Sequence, residues 1–361
     1  MNKKIFKKSF LRKLIFPEKN FFGLDFNNSN LKVLSLCKKG DEDKVLGWGE
    51  KKIPKGIIEA FEIKNKDVFR EVFEDLLKQM EGKLAGSAIV SVPESKVFIR
   101  VVQMPLMKEE EIEKAIKWET ENNIPVSIES VYYDWQILEK REKDMNVLVV
   151  AVGKKIIDNY LEVFDYLGID VAVFEPESIA TGRSLLNEES GCLAILDIGK
   201  ETSSLAFYKN SFPIFTTSYS ISGDSFTDLA AKFLRVDHQE AESYKSRVGL
   251  GRNLEEKKEA YEIFSPALDI LVKETQRAID FFNNNLKETC ARQATVNKII
   301  VCGGGSNLAG LMSFLAINLK IEVFQYNPWA KVILKNSLPP ISKEKSQSFS
   351  TVIGLALRNL I

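Results

Sequence analysis

The stretch FFGLDFNNSNLKVLSL, residues 21–36, decides the fold, and a similar stretch, LAILDIGKETSSLAFY, returns at residues 193–208. Each is an apolar strand that ends in an aspartate, Asp25 or Asp197, followed by a turn of small or amide residues and a second strand, a pattern typical of a hairpin. Backbone N–H groups in such a turn can hold an anion, and the aspartate can hold a cation through water. A glycine loop, KIIVCGGGSNLAGLM, follows at residues 298–312. The repeated turn predicts duplicated halves that hold a polyphosphate and its Mg²⁺ between two lobes.

Composition excludes several classes of protein. The 361 residues carry 50 basic and 50 acidic side chains, which argues against nucleic acid as the main partner. No apolar run approaches the roughly 18 residues that a membrane-spanning helix needs. The four cysteines, Cys37, Cys192, Cys290 and Cys302, match no zinc-binding or redox spacing, so a reducing cytoplasm is the expected location. His238 is the only histidine, which excludes a multi-histidine metal centre and predicts an exposed helix residue.

Hydrophobic periodicity predicts α/β lobes with a compact α+β insertion. The stretch RVGLGRNLEEKKEA, residues 247–260, is predicted to be a loop, and FSTVIGLALRNLI, residues 349–361, an integral final helix. The predicted domains are a basic amphipathic tail at 1–20, a first lobe at 21–94 completed by 172–190 and 348–361, an insertion at 95–171, and a second lobe at 191–347 with its own insertion at about 226–295.

The order of these elements resembles the FtsA/PilM family, whose members share the fold of actin, sugar kinases and the Hsp70 ATPase, and it resembles the PilM branch more closely. The match is carried by KAIKWETENNIPVSIESVYYDWQIL, residues 114–138, which is similar to the family's inserted 1C or SHS2 subdomain. The resemblance implies an actin-like ATPase fold of two lobes, with that subdomain at 95–171. The matching residues in this stretch are Trp118, Glu119, Pro125, Glu129, Tyr133 and Asp134.

The resemblance also implies a site for ATP and Mg²⁺. Asp25 and Asp197 are the implied metal residues, acting through water. The residues implied to contact the nucleotide are Asp25, Asn27, Asn28, Ser29 and Lys32 in the first turn, Asp197, Gly199, Thr202 and Ser203 in the second, Gly303, Gly304, Gly305 and Asn307 in the adenosine loop, and Glu242 and Lys245.

One residue departs from the family pattern. The family's first turn usually has glycine where this chain has Asn27. Asparagine tolerates a positive φ better than most residues do, but its side chain narrows the approach of a phosphate. We therefore expect ATP binding to be weakened and hydrolysis to be weak or absent.

The predicted function is that of a cytoplasmic ATP-binding protein of a type IV pilus, or a related type II secretion platform, peripheral to the inner membrane. By resemblance it docks the cytoplasmic tail of a PilN-like partner through Trp118, Glu119 and Tyr133. The alternatives are an FtsA-like division filament protein, a pseudo-ATPase scaffold, and a small-molecule kinase of the same fold. Self-association stays open, and no catalytic residue is assigned. The final helix disfavours the filament protein, and the lack of an aspartate in an obvious sugar-binding loop disfavours the kinase.

Seven basic residues alternate with apolar ones in MNKKIFKKSFLRKLIFPEK, residues 1–19. On a helix, Phe6, Phe10 and Leu14 would line one side with lysines beside them, which suits an anionic membrane surface. A disordered, solvated extension is the equal alternative.

Overall fold

A computed structural model describes residues 20–123, 127–187, 192–285, 295–334, 338–358 and 360, which form two compact units. The first unit is built from residue 20 to Ser184, from Lys331–Leu338 and from Thr351 onward. The second is built from Leu185–Ala330 and Pro339–Ser350. The finer division into lobes and insertions stays a prediction.

The first unit contains a six-stranded sheet in the order β11-β7-β1-β2-β3-β6. Three consecutive strands form an antiparallel meander, and β7 and β11 extend it in parallel beside β1. The strands of this sheet are β1 (Phe21–Phe26), β2 (Asn30–Lys39), β3 (Glu42–Lys52), β6 (Glu81–Gly82), β7 (Ser87–Val92) and β11 (Val171–Pro176). A two-stranded hairpin, β4 (Ile58–Glu59) and β5 (Glu62–Ile63), follows the meander, and the helices of this part are α1 (Lys66–Gln79), α3 (Lys154–Tyr166) and α4 (Glu177–Leu185).

The second unit repeats the same strand order. Its strands run β16-β15-β12-β13-β14, again an antiparallel meander with two parallel strands beside the first. The strands are β12 (Cys192–Ile198), β13 (Ser203–Lys209), β14 (Phe212–Tyr219), β15 (Lys298–Cys302) and β16 (Glu322–Phe324). The helices are α5 (Gly223–Leu234), α6 (His238–Val248), α7 (Leu254–Asn285), α8 (Leu311–Leu319) and α9 (Lys343–Gln347). The prediction of two duplicated α/β halves is therefore confirmed.

The stretch around Trp118 contributes three antiparallel strands and one helix. Strands β8 (Val97–Pro105), β10 (Asp144–Gly153) and β9 (Val131–Lys140) are antiparallel neighbours in that order, and α2 (Glu109–Asn123) supplies the helix. Buried Ile112 and Ile116 of α2 lie in one core with Val147 and Val149 of β10, against which Tyr133 and Trp135 of β9 pack.

One predicted loop is shorter than expected. Only residues 249–253 form a loop, because α6 runs to Val248 and α7 already begins at Leu254. Asn253 explains the early start, because its Oδ1 accepts hydrogen bonds from the backbone N–H groups of Glu255 at 3.1 Å and Glu256 at 3.0 Å. Asparagine is a strong N-cap residue, and acidic residues in a first turn favour a helix.

The final helix, α10 (Ser350–Leu357), lies buried along its whole length. A Cβ added at Gly23 of β1 would lie 2.7 Å from the carbonyl oxygen of Val352, and one added at Gly354 would lie 1.8 Å from that of Ala180 in α4. Glycine is therefore required where this helix crosses its neighbours. The prediction of an integral final helix is confirmed. Among the described residues, no helix combines the length and the apolar character needed to cross a bilayer.

Candidate functional site

Asp25 is the second-last residue of β1 in the first unit, and it is buried. Its side chain is 8% exposed, and its Oδ1 accepts a hydrogen bond of 2.8 Å from Ser91 Oγ of the neighbouring β7. Lys32 lies directly opposite on β2. Burial raises the pKa of Asp25, although Lys32 and Ser91 act in the other direction. A raised pKa disfavours the ionised form that Mg²⁺ requires.

The first turn, residues 27–30, is held together by Asn27. Its Oδ1 accepts hydrogen bonds from the backbone N–H groups of Ser29 and Asn30, both at 2.9 Å, and from Ser29 Oγ at 3.2 Å. The φ angle of Asn27 is not positive, so its tolerance of positive φ is not needed here. Asn28 Oδ1 accepts a hydrogen bond of 3.3 Å from the N–H of Phe61. The predicted residues of the first turn therefore lie together, with their side chains engaged within the first unit.

The second turn and the glycine loop meet in the second unit because β12 and β15 are parallel neighbours, with Asp197 opposite Cys302. A Cβ added at Gly303 would lie 2.2 Å from Asp197 Oδ1, and φ is +83° at this glycine. Only glycine fits so close an approach in that backbone conformation. Burial, then the charge of Asp197, raises the pKa of the Cys302 thiol.

The start of α5 lies against this pair of loops. Gly223 donates its N–H to the carbonyl oxygen of Gly199 at 2.9 Å, and a Cβ added at Gly223 would lie 3.8 Å from the Cα of Gly305. Ser222 caps the helix through a reciprocal pair of hydrogen bonds with Ser225, a capping box. Three glycines from three separate segments thus line one small region of backbone.

Glu242 and Lys245 of α6 reach the same helix start. Lys245 Nζ donates to the carbonyl oxygen of Gly223 at 3.0 Å and to Thr227 Oγ1 at 2.8 Å, and it lies 2.7 Å from Glu242 Oε2. Thr227 Oγ1 in turn lies 2.6 Å from the same oxygen of Glu242. Burial acts to raise the pKa of Glu242, but the hydrogen bonds from Lys245 and Thr227 outweigh it and hold that pKa below its ordinary value. A cation and a carboxylate are therefore fixed beside the glycine backbone.

Three residues that were predicted to contact the nucleotide make other contacts in the second unit. Ser203 is buried and its Oγ donates a hydrogen bond of 2.6 Å to the carbonyl oxygen of Ile221. Asn307 is exposed, and its Nδ2 donates to the carbonyl oxygen of Glu344 at 2.9 Å. Thr202 is exposed at the turn, where its carbonyl oxygen accepts the N–H of Gly199 at 3.0 Å.

Sequence reasoning missed Ser91, Gly223 and Thr227. The pattern SGDS at residues 222–225 carried a helix-start signal that points to Gly223. Ser91 and Thr227 carried none, because their partners come from distant positions in the chain. His238 lies on α6 as predicted, with its side chain 52% exposed. No group of three or more histidine, cysteine or acidic side chains that could hold a metal occurs in the part of the chain that the structure describes.

The predicted partner-binding residues differ in exposure. Trp118 is 64% exposed on α2, whereas Tyr133 is half-buried and packs against the core beneath that helix. The side chain of Glu119 lies outside the described residues, as does Pro125. Of Trp118 and Tyr133, only Trp118 has a mostly exposed side chain.

Comparison with solved structures shows the fold. The chain is similar to a structure described as a PilM-PilN type IV pilus biogenesis complex, with 24% sequence identity, a TM-score of 0.79, and coverage of 96% of this chain and 100% of that one. It is also similar to MreB 5 of Spiroplasma citri bound to AMPPNP, at 13% identity and a TM-score of 0.53, over 94% of this chain and 95% of the other. The chain has the actin-like ATPase fold.

Sequence comparison agrees with that fold. The chain is 21% identical to the cell division protein FtsA of Staphylococcus epidermidis over 206 residues, which is 54% of this chain but only 44% of that relative. The match therefore spans less than half of that relative's length. A family model described as type IV pilus assembly protein PilM matches residues 23–360. Since that match spans nearly the whole sequence, this chain belongs to the type IV pilus assembly protein PilM family.

Proposed function

We propose that this chain binds ATP and docks the cytoplasmic tail of a PilN-like inner-membrane protein at the cytoplasmic face of a type IV pilus machine. The observation that carries the ATP part is the cluster in the second unit, where Lys245 and Glu242 are fixed beside Gly223 and the backbone of Gly199 and Gly305. Glycine residues have no side chain, so a phosphate can approach their backbone closely. A lysine beside them favours the binding of an anion. MreB 5, which shares the fold, is described as bound to AMPPNP.

Mg²⁺ would be held through Asp197, which lies at the end of a strand beside Gly303. The bound ion would neutralise part of the polyphosphate charge. Asp25 fits this role less well, because it is buried, hydrogen-bonded to Ser91, and has a raised pKa. Nucleotide can bias the protein between two arrangements only by binding one of them better than the other.

Calorimetry with Mg²⁺ and ATP tests this part. Wild-type protein should bind, Asp197→Asn should bind much more weakly, and Asp228→Asn should bind like the wild type. Asp228 is a suitable control because it lies on α5 with its side chain 72% exposed. At a ligand concentration about 100 times the dissociation constant, binding should raise the free energy of unfolding by about 2.7 kcal/mol. No heat and no thermal shift with the wild type would rule out a functional nucleotide site.

A scaffold that binds ATP without hydrolysing it is the second candidate. It is favoured by the first turn, whose backbone N–H groups at Ser29 and Asn30 already bond to Asn27. Phosphate release above the rate of free ATP hydrolysis, lost in Asp197→Asn, would contradict it.

The docking part is supported by the solved relative that is described as a PilM-PilN complex. We place the partner along α2 and β9, where Trp118 is exposed and where β9 pairs with β10 along one edge. An extended peptide beside a strand edge gains main-chain hydrogen bonds, and exposed side chains then give selectivity.

Anisotropy tests the docking site. The probe is a labelled peptide of the first residues of the membrane protein encoded beside this one. Trp118→Ala should weaken binding while leaving the thermal midpoint unchanged, because the side chain is mostly in solvent. Tyr133→Ala should lower the midpoint as well, since Tyr133 packs against the core. Unchanged binding by the folded Trp118→Ala variant would place the docking surface elsewhere.

A further inference from the structure

The first and second turns share one backbone hydrogen bond but differ in sequence, NNSN at residues 27–30 and GKET at residues 199–202. In the first, the N–H of Asn27 donates to the carbonyl oxygen of Asn30 at 3.0 Å. In the second, the N–H of Gly199 donates to the carbonyl oxygen of Thr202, also at 3.0 Å. Both bonds join residue i to residue i+3, and both turns join the first two strands of the meander in their unit. Two turns with the same backbone hydrogen bond therefore carry asparagine and glycine, respectively, at the first position.

The asparagine side chain accepts the N–H groups that converge in the first turn. Its Oδ1 accepts the backbone N–H groups of Ser29 and Asn30, both at 2.9 Å, and the hydroxyl of Ser29 at 3.2 Å. Converging backbone N–H groups are the feature by which a turn binds phosphate oxygens. Gly199 has no side chain that could make the equivalent contact.

We propose that Asn27 acts as a built-in substitute for phosphate, so that the first turn does not hold the nucleotide through these backbone N–H groups. Phosphate recognition then falls on the second unit, and Asn27 limits nucleotide affinity. This inference rests on the proposed ATP binding. It adds a residue that sets nucleotide affinity, and the cause differs from simple crowding because the donors are already bonded.

Two neighbouring side-chain oxygens also accept hydrogen bonds within the first unit. Asn28 Oδ1 accepts the N–H of Phe61 at 3.3 Å, and Asp25 accepts the hydroxyl of Ser91 at 2.8 Å. To bind these N–H groups, a phosphate must displace an acceptor that is covalently held in place. Hydrogen bonds to a charged phosphate are stronger than those to an amide, so removing the amide should leave a turn that gains from binding phosphate.

The test compares three substitutions at Asn27 in the full chain. Asn27→Gly and Asn27→Ala remove the acceptor, and the alanine variant covers the case in which glycine destabilises the turn. Asn27→Asp keeps an acceptor in place and adds a negative charge. Asn210→Gly is the matched control, because Asn210 lies in the hairpin between β13 and β14.

Calorimetry with Mg²⁺ and ATP gives the first readout. Asn27→Gly and Asn27→Ala should bind about tenfold more tightly than the wild type, a factor that corresponds to roughly 1.4 kcal/mol. Asn27→Asp should bind no more tightly, and Asn210→Gly should match the wild type. Equal affinity of the wild type and all Asn27 variants would overturn the inference while leaving ATP binding intact. Absence of binding in every protein would overturn the proposed function, and the inference with it.

Amide hydrogen exchange, measured without nucleotide on protein labelled at serine and asparagine nitrogen, gives the second readout. The amides of Ser29 and Asn30 should exchange slowly in the wild type and much faster in Asn27→Ala. Fast exchange in the wild type would show that Asn27 does not occupy these donors, and it would overturn the inference whatever the affinities.

Discussion

Glu175 is a buried carboxylate held by two arginines within the first unit. It is 1% exposed, its two oxygens accept hydrogen bonds from Arg183 at 2.6 and 2.7 Å, and Arg358 donates to one of them as well. Burial acts to raise the pKa of Glu175, but the two guanidinium groups outweigh it and hold the pKa below its ordinary value of 4.5. The network joins the end of β11 to α4 and to the residue that follows α10.

Removing this carboxylate should be costly. Glu175→Gln leaves two guanidinium groups without their counter-charge, and breaking a buried pair typically costs about 3–5 kcal/mol. Urea unfolding at pH 7 measures the loss. Glu74→Gln is the control, because it breaks an exposed pair with Arg70 on α1 and should change the free energy of unfolding by at most about 0.5 kcal/mol. Equal effects of the two substitutions would contradict the prediction.

The same network predicts the sign of the acid dependence. A carboxylate whose folded-state pKa is lowered stabilises the fold fully above its unfolded pKa, and that contribution is lost as the pH falls through the folded value. The difference in stability between the wild type and Glu175→Gln should therefore be constant above about pH 5 and shrink below it. A difference that grows on acidification would show that the carboxyl group is protonated in the native state.

Two hairpins have turns with the same backbone conformation but different residues, so they can be compared directly. The turn between β4 and β5 has Ala60 at φ 49° and Phe61 at φ 68°, and the turn between β13 and β14 has Asn210 at 48° and Ser211 at 68°. Positive φ at both central residues identifies the turn that suits a two-residue hairpin, which strongly prefers asparagine, aspartate or glycine. Alanine and phenylalanine pay a steric cost in this conformation.

Exchanging the first turn residue should move stability in opposite directions. Ala60→Asn should stabilise the protein by about 0.5–1 kcal/mol, and Asn210→Ala should destabilise it by a similar amount, because asparagine tolerates a left-handed backbone better than alanine does. Urea unfolding of the two variants measures both changes. Shifts of the same sign in both variants would show that contacts around the turns, not backbone conformation, control the effect.

Local patterns in the sequence predicted the fold well, and long-range contacts limited the prediction of the site. The repeated aspartate and turn predicted two duplicated halves because the turn chemistry is local. Two hydrogen bonds of the site join separate elements: Ser91 donates to Asp25, and Thr227 donates to Glu242. No local sequence pattern predicts them. The sequence shows that Asn27 departs from glycine, but the hydrogen bonds of its side chain depend on the geometry of the turn, which the sequence does not give. The predicted loop at residues 247–260 is too long at both ends, because α6 runs to Val248 and the Asn253 cap starts α7 at Leu254.

At the scale of the whole molecule, charge is distributed unevenly. Residues 1–19 carry seven basic side chains and one acid, whereas the chain as a whole is neutral, so the remainder is net negative. These residues lie outside the described part, and the membrane hypothesis for them rests on sequence. Each basic residue near an anionic lipid surface adds about 1 kcal/mol of attraction.

Vesicle sedimentation tests the tail. The full chain should pellet with vesicles that contain anionic lipid, and a chain that begins at Asn20 should stay in the supernatant. Vesicles of neutral lipid are the control, and added salt should reduce pelleting because it screens the attraction. Equal pelleting of the two chains would show that residues 1–19 do not contribute to membrane binding.

The packing of α10 against β1 sets an order of events during synthesis on the ribosome. Gly23 belongs to the first described strand, yet it lies against Val352 of a helix that is translated after the whole second unit. Domains generally fold as they emerge, from the N-terminus onward. Here the later unit has nearly all of its residues available while the earlier unit still waits for its last helix, with the surface around Gly23 uncovered. Newly made chains therefore pass through a stage at which the second unit is nearly complete and the first exposes the apolar residues that α10 later covers.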